Sequence, residues 1–279
     1  MLLDLYAVKG PLIMGVVNVT PDSFSDGGRH FGLEAALAHA RQLIEDGADV
    51  LDIGGESTRP GAAPVTLEEE INRVVPLISA LTGLSDIPIS IDSFKPEVAE
   101  EAFKAGAKIW NDVSGLSYSS ESLETAARLD GDIVLMHMKG EPRTMQTNPW
   151  YEDVTAEVES YLLERAGAAI KAGVDKNRIW LDPGIGFGKN LDHNLELIRA
   201  TGRLAGHGFP YVMAASRKRF IAALEEREGA EPSQPDDRVG ATLAVHLHAV
   251  AEGAKMVRVH DVAEMKQAMR LWRAIGGAG

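Results

Sequence analysis

The chain has 279 residues, 45% of them hydrophobic, and a formal net charge of −13. So acidic a protein repels nucleic acid and anionic lipid as a whole, and any anionic ligand needs cations gathered at one place. With no cysteine, disulfides, thiolate metal sites and Cys nucleophiles are excluded.

The amino terminus, MLLDLYAVKGPLIMG, lacks the basic, long apolar and cleavage regions of a signal peptide. No run of about 18 uncharged apolar residues follows, so a cytoplasmic protein is expected. Short apolar runs then alternate with helical patterns. Strands are expected over 12–19, 50–54, 87–92, 108–113, 133–137, 178–182, 211–216 and 255–260. Helices are expected between them, over 33–46, 67–81, 96–105, 154–172 and 190–200. Gly47, Gly106, Gly173 and Gly253 suit the positions just past helix ends, and Pro96 suits a helix start. The strand runs are rich in Val, Ile and Leu, as strands covered on both faces are. No linker divides the chain, so residues 1–279 are expected to form one domain. Eight strand–helix units in this length fit a closed (β/α)₈ barrel better than an open doubly wound sheet. No G-x-G-x-x-G follows the first strand, which weakens a dinucleotide-binding reading.

Polar residues close the strands with regularity: Asn18, Asp52, Asp92, Asn111 and Asp112, His137, Asp182, Ser216 to Lys218, then Arg258 and His260. In a barrel that rim carries the chemistry. Alternation places Met256, Arg258 and His260 on one face of the last strand. Each residue also has a plainer reading. Asp92 precedes a helix start and could cap it. Asn111 could serve the backbone, Asp182 could form a turn, and Arg258 or His260 could pair with a nearby carboxylate such as Asp261. Two loops rich in Gly, Pro, Ser, Thr and Asp, residues 18–28 and 54–61, follow strands and carry Phe24 and Arg59 near their tips. Both read as mobile active-site loops. Arg59, Lys218, Arg258 and His260 would gather on one rim, where helix N-termini also favour phosphate. Neither an H-E-x-x-H zinc motif nor a phosphate-binding P-loop is present.

Seven segments in order carry a resemblance: VNVTPDSFSDGG at 17–28, DIGGESTRPGA at 52–62, SIDSFKPEVAEEAFKAGAKIWNDVSG at 90–115, LMHMKGEPRTMQ at 135–146, LDPGIGFGKNLDHNLELI at 181–198, ASRKRFI at 215–221 and RVHDV at 258–262. They resemble the dihydropteroate synthase family of pterin-binding barrels. The resemblance implies a transferase that joins 4-aminobenzoate to 6-hydroxymethyl-7,8-dihydropterin diphosphate and releases pyrophosphate. It implies a pterin site at Asp92, Asn111, Asp182 and Lys218, lined by Val113, Met136 and Phe187. It implies a pyrophosphate site at Thr58, Arg59, Arg258 and His260, and Mg²⁺ at Asn18. Asp22, Asp26, Arg59 and Lys218 would serve catalysis. Phe24, Pro60 and Lys218 would form the aminobenzoate pocket, which sulfonamides would also fill. The family is usually dimeric, and the apolar stretch 239–251 is compatible with a homodimer or with an ordinary barrel helix.

Two departures stand out. Ile185 replaces a Phe found in some members, and Arg219 replaces a small Ser near the aminobenzoate carboxylate. A methyltetrahydrofolate methyltransferase-type barrel is the nearest rival, but it needs no pyrophosphate cations. A silent barrel kept as a binding protein is another, but it predicts loss of the loop residues Asn18, Asp22, Phe24, Thr58 and Arg59, all present here.

Overall fold

The structure is a computed structural model that describes residues 10–19, 28–57, 62–141 and 144–276, with backbone alone for 28–31. In chain order its elements are β1 (Leu12–Asn18), α1 (Gly28–Glu45), β2 (Val50–Gly54), α2 (Leu67–Thr82), β3 (Ile89–Asp92), α3 (Pro96–Ala105), β4 (Ile109–Asp112), α4 (Ser122–Arg128), β5 (Asp132–Met136), α5 (Val154–Ala172), β6 (Ile179–Asp182), α6 (Leu191–Arg199), α7 (Thr201–Ala205), β7 (Val212–Met213), α8 (Phe220–Arg227), α9 (Val239–Ala251), β8 (Met256–Val259) and α10 (Val262–Ala274). The strands are parallel, in the order β6-β5-β4-β3-β2-β1-β8-β7. A single bridge, Leu181 to Tyr211, closes the ring, with the Leu181 N–H donating to the Pro210 carbonyl at 2.9 Å. This is the expected (β/α)₈ barrel.

The expected elements are present with small shifts at their ends, and the expected terminal glycines all take positive φ. The seventh strand is the exception: two residues long instead of the expected six. Beyond Met213 the amides of Ala215 and Arg217 donate to side chains of α9 and not to a neighbouring strand.

Strand alternation divides the core in two. Residues such as Ile13, Leu51, Ile91, Trp110, Leu135, Leu181 and Val257 pack outward against the helices. Leu12, Met14, Val50, Ile109, Val134, Trp180, Val212 and Met256 point inward and form a separate apolar plug. Trp180 is its largest member, 1% exposed, with its indole N–H 3.3 Å from Asp132 Oδ1. The plug fills the barrel from below and leaves a floor on which polar side chains sit. Trp180→Ala is expected to lower the free energy of unfolding by about 3–5 kcal/mol. Urea denaturation measures this, and an unchanged midpoint would contradict the role given to the plug.

Candidate active site

The site residues stand one interior step above the plug. Asp52, Asn111, Met136, Asp182 and Arg258 each follow a plug residue of the same strand by two positions, the period of one strand face. Asp92 bears the same relation to Ser90, which is fully buried on β3. A strand reading of period two therefore converts directly into a polar layer resting on an apolar one.

Arg258 organises one side of this layer. Its Nε donates to Asp52 Oδ2 at 2.5 Å and its Nη2 to Asp92 Oδ2 at 2.6 Å. Asn111 Nδ2 donates to the same Asp52 oxygen at 3.0 Å. Asp52 is wholly shut off from solvent, and its Oδ1 has no hydrogen-bond partner among the described residues. Burial of a charge is tolerated only with a partner, and here one guanidinium serves two carboxylates. Burial pushes the Asp92 carboxyl up to about 7, against the pull of Arg258 and with the help of the Asp52 charge. The plainer readings of Asp92 and Asn111 fail, whereas Arg258 does pair with carboxylates, those of Asp52 and Asp92. Lys95, and not Asp92, is the N-cap of α3, without a side-chain cap bond. Asn111 serves Asp52 and not the backbone.

Asp182 and Lys218 form the other side. Asp182 Oδ1 accepts from the Gly184 N–H at 2.6 Å, so this residue does also shape a turn. Burial pushes its carboxyl upward against the pull of Lys218. The Lys218 Nζ donates to the Ile185 carbonyl and lies 4.6 Å from the centre of the Phe187 ring. Burial brings its ammonium down to about 8, with Asp182 pulling the other way.

The segment 183–190 that carries Phe187 is tied down along its backbone. The Ile185 carbonyl accepts from Lys218, that of Gly186 from Gln146, that of Phe187 from Lys189 and that of Gly188 from the Tyr151 hydroxyl. Gly184 permits the close approach this needs: at φ +67°, an added Cβ would stand 1.9 Å from the His137 carbonyl oxygen. Lys189, in the Gly-Phe-Gly-Lys run that is no P-loop, is 2% exposed. Its Nζ lies 3.0 Å from His137 Nδ1 and 3.3 Å from the His137 carbonyl. It staples the end of β5 to this segment, and burial lowers its pKa well below the usual lysine range.

Val113 and Met136 are buried at the strand ends. Ile185 is fully buried in the outer core, so its departure from Phe bears on packing. Asn18 ends β1 in register with Gly54, which in turn neighbours Asp92. His260 is joined to the segment after β7 through Ser216, whose Oγ accepts from the His260 N–H at 3.2 Å. Asp261 is bound by Arg217. Arg219 is exposed, and its side chain has no hydrogen bond or ion pair among the described residues. Asp22, Phe24, Asp26, Thr58, Arg59 and Pro60 lie outside the described residues. Sequence reasoning noted Asp52 as a strand end but gave it no role; its partner Arg258 is 206 positions away.

The layer thus offers carboxylates at Asp92 and Asp182, an amide at Asn111, an ammonium at Lys218 and apolar surface at Val113, Met136 and Phe187. Such a set suits a flat heterocycle with donors and acceptors on its edge. The Asp52 charge is one reason the Asp92 carboxyl is raised, and Asp52→Asn also leaves Arg258 to Asp92 alone. Both effects have one sign, so Asp92 is expected to titrate below about 7 in Asp52→Asn. Carboxyl carbon NMR follows this titration, and an unchanged or higher midpoint would contradict the shared-arginine arrangement.

Comparison with known proteins agrees with this geometry. The sequence model of the family described as pterin binding enzyme matches residues 14–260. Dihydropteroate synthase of Escherichia coli K12 is 45% identical over 264 residues, 95% of this chain and 91% of that protein. The solved structure of Xanthomonas albilineans dihydropteroate synthase with 4-aminobenzoic acid has a TM-score of 0.89 at 47% identity, covering 97% of this chain and 95% of that one. The complex of the Xanthomonas albilineans enzyme with 7,8-dihydropteroate has a TM-score of 0.86 at 44% identity, with the same coverage of 97% and 95%. The chain belongs to the pterin binding enzymes and, among them, to the dihydropteroate synthases.

Proposed function

We infer that this protein joins 4-aminobenzoate to 6-hydroxymethyl-7,8-dihydropterin diphosphate, giving 7,8-dihydropteroate and pyrophosphate. The observation that supports the reading is the polar layer at the strand ends, with Asp182 and Lys218 attracting each other on one side and Asp92, Asn111 and Arg258 joined through Asp52 and the guanidinium on the other. Carboxylates accept from the pterin amino and ring N–H groups, and Lys218 exchanges the Ile185 carbonyl for the pterin carbonyl. Phe187, Met136 and Val113 hold the faces of the ring.

In the reaction the arylamine nitrogen forms a bond to the exocyclic methylene carbon while the bond from that carbon to the diphosphate oxygen breaks. The amine then loses a proton. Since the amine is a neutral nucleophile, the difficulty lies in the leaving group and the electron-poor carbon. Arg258 and His260, with Thr58 and Arg59 from the second loop, take up charge on the departing diphosphate. Asp22 and Asp26 of the first loop are assigned to the cation-like carbon. Phe24, Pro60 and Lys218 are assigned to the aminobenzoate pocket. Arg219, exposed and without a side-chain partner among the described residues, is assigned to the aminobenzoate carboxylate in place of the small serine of other members.

Mg²⁺ fits this site in part. Asn18 Oδ1 and Asp92 Oδ2 both border the strand end at Gly54, each 3.7 Å from where a Cβ on that glycine would stand, and hard oxygens suit the ion. No group of three His, Asp or Glu able to hold a metal exists among the described residues, so diphosphate oxygens and water would complete the shell around Asn18. When bound, the ion neutralises charge on the leaving group.

Among the described residues no helix is long and apolar enough to cross a membrane. A cytoplasmic location and a homodimer joined near α9 complete the reading.

The pH dependence tests it. Pterin binding needs Asp92 ionised, which occurs as pH rises through about 7, and Lys218 protonated, which is lost as pH rises through about 8. The kcat/KM for the pterin diphosphate is therefore expected to be bell-shaped with its maximum between these values. The measurement is pyrophosphate release dependent on 4-aminobenzoate. A flat profile, or release that proceeds equally well without 4-aminobenzoate, would overturn the assignment.

A further inference from the structure

We propose that α9 is a positioning helix for Lys218: Thr242 and His246 stand in for a missing strand neighbour at the end of β7 and set the backbone from which Lys218 enters the slot. The inference rests on the reading of Lys218 as a substrate-binding residue.

β7 pairs with β8 only at Val212 and Met213, and with β6 only through the bridge at Tyr211. Past that point the Ala215 N–H donates to His246 Nε2 at 3.1 Å and the Arg217 N–H donates to Thr242 Oγ1 at 3.0 Å. Thr242 and His246 are four apart on α9 and so share one face. Both are buried, at 1% and 0% exposure. Alternate amides of the β7 end thus meet alternate acceptors on one helix face, as they would on a strand.

The chain turns at Arg217, one of three described non-glycine residues with positive φ, here +58°. That conformation is uncommon for a residue with a side chain and persists where surroundings impose it. The surroundings are visible. Arg217 binds Asp261 through Nε at 3.0 Å and Nη2 at 2.5 Å, and its carbonyl accepts from Arg238 Nη1 at 3.0 Å. The next residue is Lys218, whose Nζ meets the Ile185 carbonyl on the far side of the slot.

His246 is costly in this place. A nitrogen that accepts the Ala215 N–H carries no proton, so the proton resides on Nδ1, which is buried without a partner among the described residues. An unsatisfied buried donor is destabilising, and an apolar residue of similar size would avoid it. Burial holds the imidazole pKa down at about 3, which keeps the accepting form over the working pH range. A buried group kept against a local rule is expected where function requires it.

The test is a double-mutant cycle read by 4-aminobenzoate-dependent pyrophosphate release. Thr242→Val keeps the shape and removes the acceptor. It is expected to lower kcat/KM for the pterin diphosphate about tenfold, the scale of one ordinary hydrogen bond, and Thr242→Ser is expected to restore it. In a Lys218→Ala background the same substitution is expected to change nothing further, since its effect passes through Lys218. An equal loss in both backgrounds would make Thr242 merely structural and overturn the inference. So would an unchanged kcat/KM in Thr242→Val. If Lys218→Ala alone has no effect, the reading of Lys218 fails and the inference falls with it, a result distinct from additivity. Should Thr242→Val not fold, His246→Leu, which fills buried space without an acceptor, runs the same cycle through Ala215.

Discussion

A guanidinium held inside the barrel by two carboxylates is the constraint around which the site is arranged. Arg258 cannot sit above an apolar plug without counter-charge, and it finds that charge in the buried carboxylates of Asp52 and Asp92. Asp52 has no exposure and is bound by the arginine and by Asn111. Asp92 is partly exposed. One cation therefore touches a structural carboxylate and a ligand-facing one. In the proposed reaction it also meets the diphosphate, so the pterin and pyrophosphate ends of the site share a charge.

The same economy extends to the opposite wall. Lys218 is fixed from outside the barrel by the β7 end and α9, and from inside by the Ile185 carbonyl. The segment 183–190 has its carbonyls bound by Lys218, Gln146, Lys189 and Tyr151 before any ligand arrives. Preorganisation of this kind lowers the ordering cost of binding.

Much of this was legible in the sequence because barrel strands write their interior at every second position. The apolar runs marked the strands, and the polar residues ending them marked the rim. The period of two put Arg258 on the inward face with Met256. What stayed hidden depended on partners distant in sequence. Nothing local to Asp52 announces Arg258, and nothing in Ala-Ser-Arg-Lys announces that its amides are received by α9. That is why six strand residues were expected where two are found. Lys189 was hidden for the same reason: its Gly-Phe-Gly-Lys run is no P-loop, and its partner His137 is 52 positions away. The resemblance supplied roles for loop residues that spacing alone could not assign, and Arg219 is where that pattern and this sequence part.

If Arg258 is shared between Asp92 and the diphosphate, then pyrophosphate binding must weaken its hold on Asp92. Arg258 is what pulls the Asp92 carboxyl down against burial, so its withdrawal raises that carboxyl further and a proton is taken up near pH 7. Calorimetry of pyrophosphate binding in buffers of different ionisation enthalpy measures this directly. The account predicts greater net proton uptake by the wild-type protein than by Asp92→Asn. Equal proton uptake by the two would contradict it.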